Sequence, residues 1–273
     1  GQRLGCYGVP NIRSHDIDRF AEGAVRFENA FCTAPQCSPA RAALWTGRYP
    51  HANGVVGLAH SEFGNDLHPG ERHLAQILGD TGYQTILFGT QHVSPTPERC
   101  GFAEVHGRGS CVKIAREFSD HLPGIDRDRP FHIQIGFGEP HRPYGHDGTE
   151  SQDPSTVDVP GHLPDIPEVR EDLADMEASI ASVDIAFGMI LEALDRAGLA
   201  DDTLVMFVAD HGIPHVRSKM TLYDPGLEIA LAMRIPGVEG GRAPSEMISN
   251  VDVMPTILEL LGMDVPQSIQ GRS

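Results

Sequence analysis

The run Cys37-Ser38-Pro39-Ala40-Arg41 brings a thiol, a proline and an arginine together within five residues. A helix-compatible segment follows it and ends at Gly47. A thiol near a helix N-terminus and next to a fixed positive charge is placed for chemistry more than for packing. Cys37 is therefore the first candidate catalytic residue, and the other candidates are those that could gather around it.

Four further polar residues follow apolar runs that are typical of buried strands. His92 comes after the run 84–89, His141 after the run 131–137, and Asp210-His211 after the run 204–208. In α/β folds, ligands bind beyond the carboxyl ends of the strands, so we expect these side chains to converge. Each one also has an ordinary interpretation, because histidines after strands are often loop residues and an aspartate can cap a helix.

Short apolar strands alternate with helical segments along the chain, which predicts an α/β fold with a mostly parallel sheet and helices on both faces. The predicted strands are 25–30, 84–88, 131–137, 204–208 and 229–235. The predicted helices are 17–23, 41–45, 73–79, 170–197 and 253–261, with a long loop over about 145–167.

Composition excludes some partners. The chain of 273 residues has 38 acidic and 21 basic residues and a net charge of −17. Nucleic acids and anionic membranes need a basic surface, so neither is expected as a partner. No apolar run approaches the roughly 20 residues that span a bilayer. Five irregularly spaced cysteines favour neither a disulfide scaffold nor a zinc site.

The cysteine run, continued by Ala42 to Gly47, resembles the signature of the sulfatase family, which belongs to the alkaline-phosphatase-like superfamily. In that family the Cys-x-Pro-x-Arg core directs oxidation of the cysteine to formylglycine. Four other stretches agree with the resemblance: 82–89, Pro140–Tyr144, Asp210–Gly212 and Lys219. Within the family, His51–Gly54 and Gln91–Val93 look closest to the heparan N-sulfatase (sulfamidase) branch and its prokaryotic relatives.

The resemblance implies a complete set of site residues. The implied catalytic residues are Cys37, Arg41, His92, His141 and Lys219. The implied metal ligands are Asp210, His211 and the oxidised Cys37. The implied cofactors are formylglycine and one divalent cation, with Ca²⁺ expected and Mg²⁺ as the alternative.

Each implied residue has an expected role. One hydroxyl of the hydrated aldehyde attacks sulfur and the other later expels sulfate, with Arg41 holding the diol. Lys219 and His141 bind the sulfate, and His141 also protonates the leaving group. His92 takes the proton when the diol collapses.

Two departures from the family pattern matter. Thr90 follows Gly89 at a position where many relatives have lysine, so one sulfate-binding cation is absent or comes from elsewhere. The family also begins with a strand that ends in a metal-binding Asp-Asp pair. We therefore expect residues 1–273 to be a single catalytic-domain fragment that lacks this strand and a C-terminal subdomain, and to be inactive and poorly stable alone.

The expected function is hydrolysis of a sulfate ester or sulfamate, on a small molecule or glycan, after maturation by a formylglycine-generating enzyme. Two alternatives stay open: a phosphonate or phosphodiester hydrolase of the same superfamily, and a relative that binds sulfated glycans without cleaving them. No leader peptide is visible, so a cytoplasmic and an exported location both stay open, and a prokaryotic source is expected.

Overall fold

The computed structural model describes residues 1–60, 62 and 64–273. The strands are β1 (Val25–Arg26), β2 (Asn29–Phe31), β3 (Gln84–Gly89), β4 (Glu104–His106), β5 (Phe131–Gly136), β6 (Val205–Val208), β7 (Leu231–Arg234) and β8 (Met247–Ser249). The helices are α1 (His15–Glu22), α2 (Cys37–Thr46), α3 (Pro50–Asn53), α4 (Leu74–Asp80), α5 (Cys111–His121), α6 (Pro167–Arg196), α7 (Asp224–Leu227) and α8 (Val253–Leu260).

The strands form three small sheets. One has the order β4-β3-β5 and is entirely parallel, with Gln84 of β3 opposite Phe131 of β5 and Gly89 opposite Gly136. A second has the order β1-β7-β6, in which β7 runs antiparallel to both neighbours. In the third, β2 pairs in parallel with β8. The predicted fold class, α/β with parallel strands between helices, is confirmed.

Helices cover both faces of the strands. Along β3, Ile86 and Phe88 join a core with α1, α5 and α6, whereas Leu87 joins a core with α2, α4 and α8. This alternation follows from the two-residue period of a strand. None of the helices in the described part of the chain, including the 30-residue α6, is long and apolar enough to cross a membrane.

A cleft with a volume of about 1480 Å³ runs between β5 and β6. Within the described residues, no strand ladder joins these two strands, which belong to different sheets. The strands contribute mainly apolar side chains to the cleft, and α6 adds others such as Ile180 and Phe187. Nevertheless the side chains of Ile133, Ile135 and Phe207 are only half-buried.

The structure differs from the predicted elements in a few places. The helix expected over 41–45 begins earlier, at Cys37, because Pro39 lies in the first turn, where a missing N–H costs nothing. The predicted strand over 25–30 is two short strands, β1 and β2. Sequence patterns did not predict α5, β4 or β8. The two strands have only three residues each and expose much of their length, so they carry no apolar run.

Candidate active site

Cys37 is the first residue of α2, and Gln36 is the N-cap with extended backbone. The Cys37 side chain is almost fully buried, at 7% exposure. It lines the cleft between β5 and β6 at the end where the loops following the strands meet. The thiol therefore lies at the positive end of a helix and faces a cavity that can admit a small polar group.

Asn250 fixes the backbone on either side of Cys37. Its Nδ2 donates to the carbonyl of Ala40 at 2.8 Å, and its Oδ1 accepts from the backbone N–H of Thr33 at 3.0 Å. The side chain is 2% exposed, so both bonds are shielded from water. One buried amide therefore joins the loop before α2 to the first turn of the helix.

Lys219 lies against the Cys37 sulfur, and His141 lies next to Lys219. The Lys219 ammonium is 3.4 Å from Cys37 Sγ and 3.2 Å from His141 Nε2. The neighbouring Met220 N–H donates to the Pro35 carbonyl at 2.8 Å, which ties the lysine loop to the turn before α2. A cation and an imidazole are thus held on one side of the thiol.

The hydrogen bond at the other ring nitrogen sets the tautomer of His141. His141 Nδ1 is 2.6 Å from the carbonyl oxygen of Arg142, which can only accept. Nδ1 therefore carries a hydrogen, and in the neutral ring Nε2 is a lone pair that accepts from Lys219. Nε2 is consequently the ring atom that can exchange a proton inside the cleft.

Arg41 and Asp210 form an ion pair beside the thiol. Arg41 Nε donates to Asp210 Oδ2 at 2.8 Å, and Nη1 approaches the carbonyl of Thr90 at 3.4 Å. Burial opposes ionisation of Asp210, but the Arg41 guanidinium outweighs it and holds the pKa of this carboxyl well below its usual range. Asp210 is therefore a carboxylate at neutral pH.

The close approach of two glycines places the Thr90 carbonyl. Gly89 ends β3 with φ +80°, and a Cβ there would lie 2.2 Å from the Gly136 carbonyl oxygen. A Cβ on Gly136 would lie 1.8 Å from the Thr90 carbonyl oxygen. Only glycine fits at either position, because neither backbone can move away from the other.

His211 directs the lone pair of its Nε2 toward Cys37 and Asp210. Its Nδ1 is 2.8 Å from the carbonyl oxygen of Gly212, so Nδ1 carries the hydrogen of the neutral ring. Nε2 lies 3.3 Å from Cys37 Sγ and 3.6 Å from Asp210 Oδ1. Burial lowers the pKa of His211, although Asp210 acts in the opposite direction, so the ring is neutral.

The donors of Cys37, Asp210 and His211 suit one face of a divalent cation. One potential ligand atom from each residue lies within 4.8 Å of the other two. The carboxylate is ionised, and the imidazole is neutral with its lone pair directed to this point, which is the state that metal binding requires. These three residues are therefore a candidate divalent-metal site.

His92 lies on the wall of the same cleft. Its backbone has φ 54°, and its ring centroid is 4.9 Å from that of His60. Burial, the Arg41 charge and His60 together lower the pKa of His92 to about 4. Its Nε2 is buried without a hydrogen-bond partner in the described part of the chain. The ring is thus a neutral base at pH 7 with an unused nitrogen.

The structure brings together six residues singled out from the sequence and places His92 on the adjoining wall. Sequence reasoning did not find Asn250, His60 or the Thr90 carbonyl. Asn250 stands in a capping box formed by Ser249 and Asp252, and this box could have indicated an ordered turn. No local pattern could have indicated contacts with residues more than 200 positions away.

All five cysteines are free. Burial is the largest cause that raises the pKa of four of them, Cys6, Cys32, Cys100 and Cys111, to about 12. These four thiols are therefore protonated and inert at neutral pH. Cys37 differs from them in its contacts, because its sulfur faces Lys219 and His211.

Comparison with known proteins identifies the family of this chain. The sulfatase family profile matches residues 1–263. The human N-sulphoglucosamine sulphohydrolase is 31% identical over 300 residues, which cover 97% of this chain and 59% of that protein. A Formosa agariphila ulvan-active sulfatase is 28% identical, with 99% of this chain and 61% of the relative covered. The chain thus spans about three fifths of the length of these relatives.

Solved structures show the same fold. A chain from work on glycosaminoglycan metabolism by Bacteroides thetaiotaomicron superposes with a TM-score of 0.85 at 24% identity, covering 97% of this chain and 69% of that one. The phosphonate monoester hydrolase of Agrobacterium radiobacter gives a TM-score of 0.80 at 21% identity, covering 99% and 73%. Since the family profile extends over nearly the whole chain and includes the residues gathered around Cys37, the chain belongs to the sulfatase family.

Proposed function

We propose that this chain forms the sulfate-cleaving part of a hydrolase that acts on a sulfate ester or sulfamate of a sulfated sugar. One observation carries the proposal. The Lys219 ammonium and the His211 Nε2 lone pair both lie within 3.4 Å of Cys37 Sγ, next to the Arg41–Asp210 ion pair. A tetrahedral anion at residue 37 would meet the Lys219 ammonium and lie next to the Arg41 guanidinium, while the His211 lone pair would face the proposed metal.

Lys219 and His141 are proposed to bind the sulfate. The ammonium would donate to one sulfate oxygen, and this charge stays in place because Met220 ties the loop to Pro35. His141 Nε2 would hold the proton that passes to the leaving oxygen or nitrogen. Its hydrogen bond from Nδ1 to Arg142 keeps Nε2 directed into the cleft while that proton is transferred.

Formylglycine made from Cys37 would supply a hydrated aldehyde in place of the thiol. Arg41, held by Asp210 and Thr90, would orient a hydroxyl at residue 37. His92 would accept a proton from that residue, because its lowered pKa keeps the ring neutral at pH 7. Its unpartnered Nε2 supports this role.

A divalent cation, proposed to be Ca²⁺, would be held by Asp210, His211 and the oxygen at residue 37, and would supply positive charge beside the sulfate oxygens. Calcium takes about six to eight oxygen ligands, more than these residues offer. We propose that further carboxylates come from an additional strand. The cleft between β5 and β6 supports this, because it has room for an extended segment and its apolar walls are half-exposed.

The proposed substrate class comes from the named relatives. The human relative is named for N-sulphoglucosamine, and another relative, from Bacteroides thetaiotaomicron, is an endo-4-O-sulfatase that is 27% identical over 96% of this chain. These names support a sulfated sugar and leave open whether the sulfate is on oxygen or nitrogen.

Mass spectrometry of the peptide that contains Cys37 tests the proposal. In protein from a host with a formylglycine-generating enzyme, we expect the mass of an aldehyde in place of the thiol. The peptides that contain Cys6 and Cys100 serve as internal controls and should keep their thiols. An unmodified Cys37 in such a host would count against a formylglycine hydrolase.

A substrate panel separates the proposed reaction from its alternatives. The panel contains N-sulfoglucosamine, an aryl sulfate and a phosphonate monoester, and kcat/KM is measured on the native protein that carries these residues. We expect the highest value on a sulfated substrate. A preference for the phosphonate would favour the phosphonate hydrolases, and binding of sulfated sugars without turnover would favour a glycan-binding relative.

A further inference from the structure

We propose a second metal site, for Zn²⁺, formed by Glu104, His106 and His121. We call these three residues the edge cluster. Glu104 and His106 belong to β4, the outer strand of the sheet β4-β3-β5, and His121 is the last residue of α5. None of the three belongs to the set gathered around Cys37.

Chain geometry puts the three side chains together. Glu104 and His106 are two residues apart on one strand and so point to the same face. On that face they meet His121, because α5 packs against the sheet through β3. The strand register places His106 opposite Phe88 of β3.

The ligand atoms have the spacing that a tetrahedral metal needs. Glu104 Oε1 is 2.8 Å from His106 Nε2 and 3.5 Å from His121 Nδ1, and one ligand atom from each residue lies within 4.8 Å of the other two. Two ligands each about 2.0–2.1 Å from a tetrahedral zinc ion lie roughly 3.3 Å apart. One of the two distances from Glu104 Oε1 is shorter than this value and the other is longer. Small rotations of the three side chains would therefore bring their ligand atoms to metal-binding positions.

Phe88 holds both imidazole rings in position. The His106 ring stacks on it with centroids 4.2 Å apart and planes 8° from parallel, and the His121 ring meets it edge-on at 5.5 Å. Phe88 is fully buried, so it cannot move away. Ligands supported in this way lose little rotational freedom when they bind a metal.

The chemistry of the edge cluster selects the ion. Two imidazoles and one carboxylate suit zinc better than calcium, which takes most of its ligands from oxygen atoms. His121 also lies at the C-terminal end of α5, where the helix dipole favours a cation. The Glu104 side chain is 47% exposed, so water can reach the ion and complete its coordination.

Occupation would have a structural consequence. The outer edge of β4 has no neighbouring strand among the described residues, and Val105 is 43% exposed. A zinc ion would tie this short strand to the end of α5. The site is therefore proposed to stabilise the sheet edge, independently of the reaction at residue 37.

Zinc titration of the whole chain tests the proposal. All measurements use a Cys37→Ala/Asp210→Asn background, so that the candidate metal site beside Arg41 cannot bind the added ion. Competition with a chromophoric chelator should show one Zn²⁺ per chain. We expect His121→Gln and, separately, Glu104→Gln to weaken binding by about 10-fold or more, because each removes a ligand. His68→Gln, at an exposed histidine outside the edge cluster, should bind like the background.

A second measurement guards against misfolded variants. Zn²⁺ should raise the midpoint of thermal unfolding of the background and of His68→Gln, and should leave that of His121→Gln unchanged. Two results would overturn the proposal. One is equal zinc affinity in the background and in both edge-cluster variants, and the other is the absence of stoichiometric binding in the background.

Discussion

The start of α2 and the wall of the cleft differ in how fully their side chains are accommodated. The comparison is between hydrogen bonding of polar groups at the first and burial of apolar groups at the second. Around Cys37, polar groups are held by hydrogen bonds from distant parts of the chain, such as that from Asn250 to Ala40. Along β5 and β6, the apolar side chains of Ile133, Ile135 and Phe207 are only half-buried. The polar side chains beside Cys37 are therefore held by specific partners, whereas the apolar wall of the cleft still has surface to bury.

This difference separates two requirements of the site. Orientation of Arg41, Lys219 and His211 comes from bonds within residues 1–273. The apolar walls of the cleft, by contrast, are left half-exposed by the described residues. Changes near Cys37 should therefore affect chemistry strongly, and changes in the cleft wall should affect stability less than changes in the closed core.

The largest expected effect comes from a substitution of Cys37, in the polar region at the start of α2. Cys37→Ala removes the precursor of the reactive group, so turnover should fall on the order of 10⁴-fold or more. The control is Cys6→Ala, a half-buried thiol far along the chain from the site, which should keep its activity. Equal losses in the two variants, measured as kcat, would mean that Cys37 has no special role.

Lysine offers a matched pair, because the chain has only Lys113 and Lys219. Lys219→Ala removes the ammonium beside the Cys37 sulfur, and kcat/KM should fall about 10²–10³-fold through lost transition-state stabilisation. Lys113 is 62% exposed on α5, and Lys113→Ala should leave kcat/KM unchanged. The proposed sulfate contact would be wrong if the two variants behaved alike.

Asn250→Ala should cost about 1–3 kcal/mol of the free energy of unfolding, because the Thr33 N–H loses its partner in a buried place. Urea denaturation measures this cost. The same variant should lower kcat, since the first turn of α2 loses its tie to the preceding loop. Asn29→Ala, at a half-buried asparagine whose bond to the Ser245 carbonyl is open to solvent, is the control and should change neither quantity appreciably.

A pair of apolar substitutions compares the half-buried wall of the cleft with the closed core. Leu87 is 1% exposed in the core with α4, and Leu87→Ala should lower the free energy of unfolding by about 2–5 kcal/mol. Ile133 lies on β5 beside the cleft and is half-buried, so Ile133→Ala should cost less. Equal costs in urea denaturation of residues 1–273 would indicate that the cleft is closed in solution.

The most gradual expected effect concerns pH. His73 is fully buried, and burial together with His132 lowers its pKa to about 3 from 6.5. Below pH 6.5, His73 binds a proton in the unfolded chain but not in the folded chain. The free energy of unfolding therefore falls as pH drops toward 3. The slope contributed by this group approaches about 1.4 kcal/mol per pH unit.

His73→Asn gives a sharp test of that slope. His73 is the N-cap of α4, and its Nδ1 accepts from the Ala75 N–H at 3.1 Å. Asparagine is also a good N-cap, so the variant keeps the cap and removes the titrating group. Urea midpoints between pH 7 and pH 4 should depend less on pH in the variant, and an unchanged dependence would exclude His73 as its source.

Several elements could be predicted from the sequence because their signals are local. The apolar runs of β3 and β5 end within one residue of the observed strands, and the stripe along α6 gave that helix within three residues. The fold class followed from their alternation. The strands β4 and β8 could not be predicted, because three-residue edge strands are defined by their partners and not by their own apolar residues.

The candidate site, like the fold, could be predicted only in part from the sequence. Residue types and spacing, with the family resemblance, indicated which side chains to expect near Cys37. They could not indicate the tautomers of His141 and His211, which depend on the carbonyls of Arg142 and Gly212 in the folded chain. The catalytic roles themselves stay predictions.

The burial of Cys37 has a consequence for the proposed maturation. In the folded chain, Cys37 is 7% exposed, and Ser38 and Ala40 are 0% and 1% exposed within α2. An enzyme that bound residues 37–41 as an extended segment would need this helix unformed. The proposed oxidation would therefore compete in time with folding, and slower formation of α2 would leave such an enzyme a longer time to act.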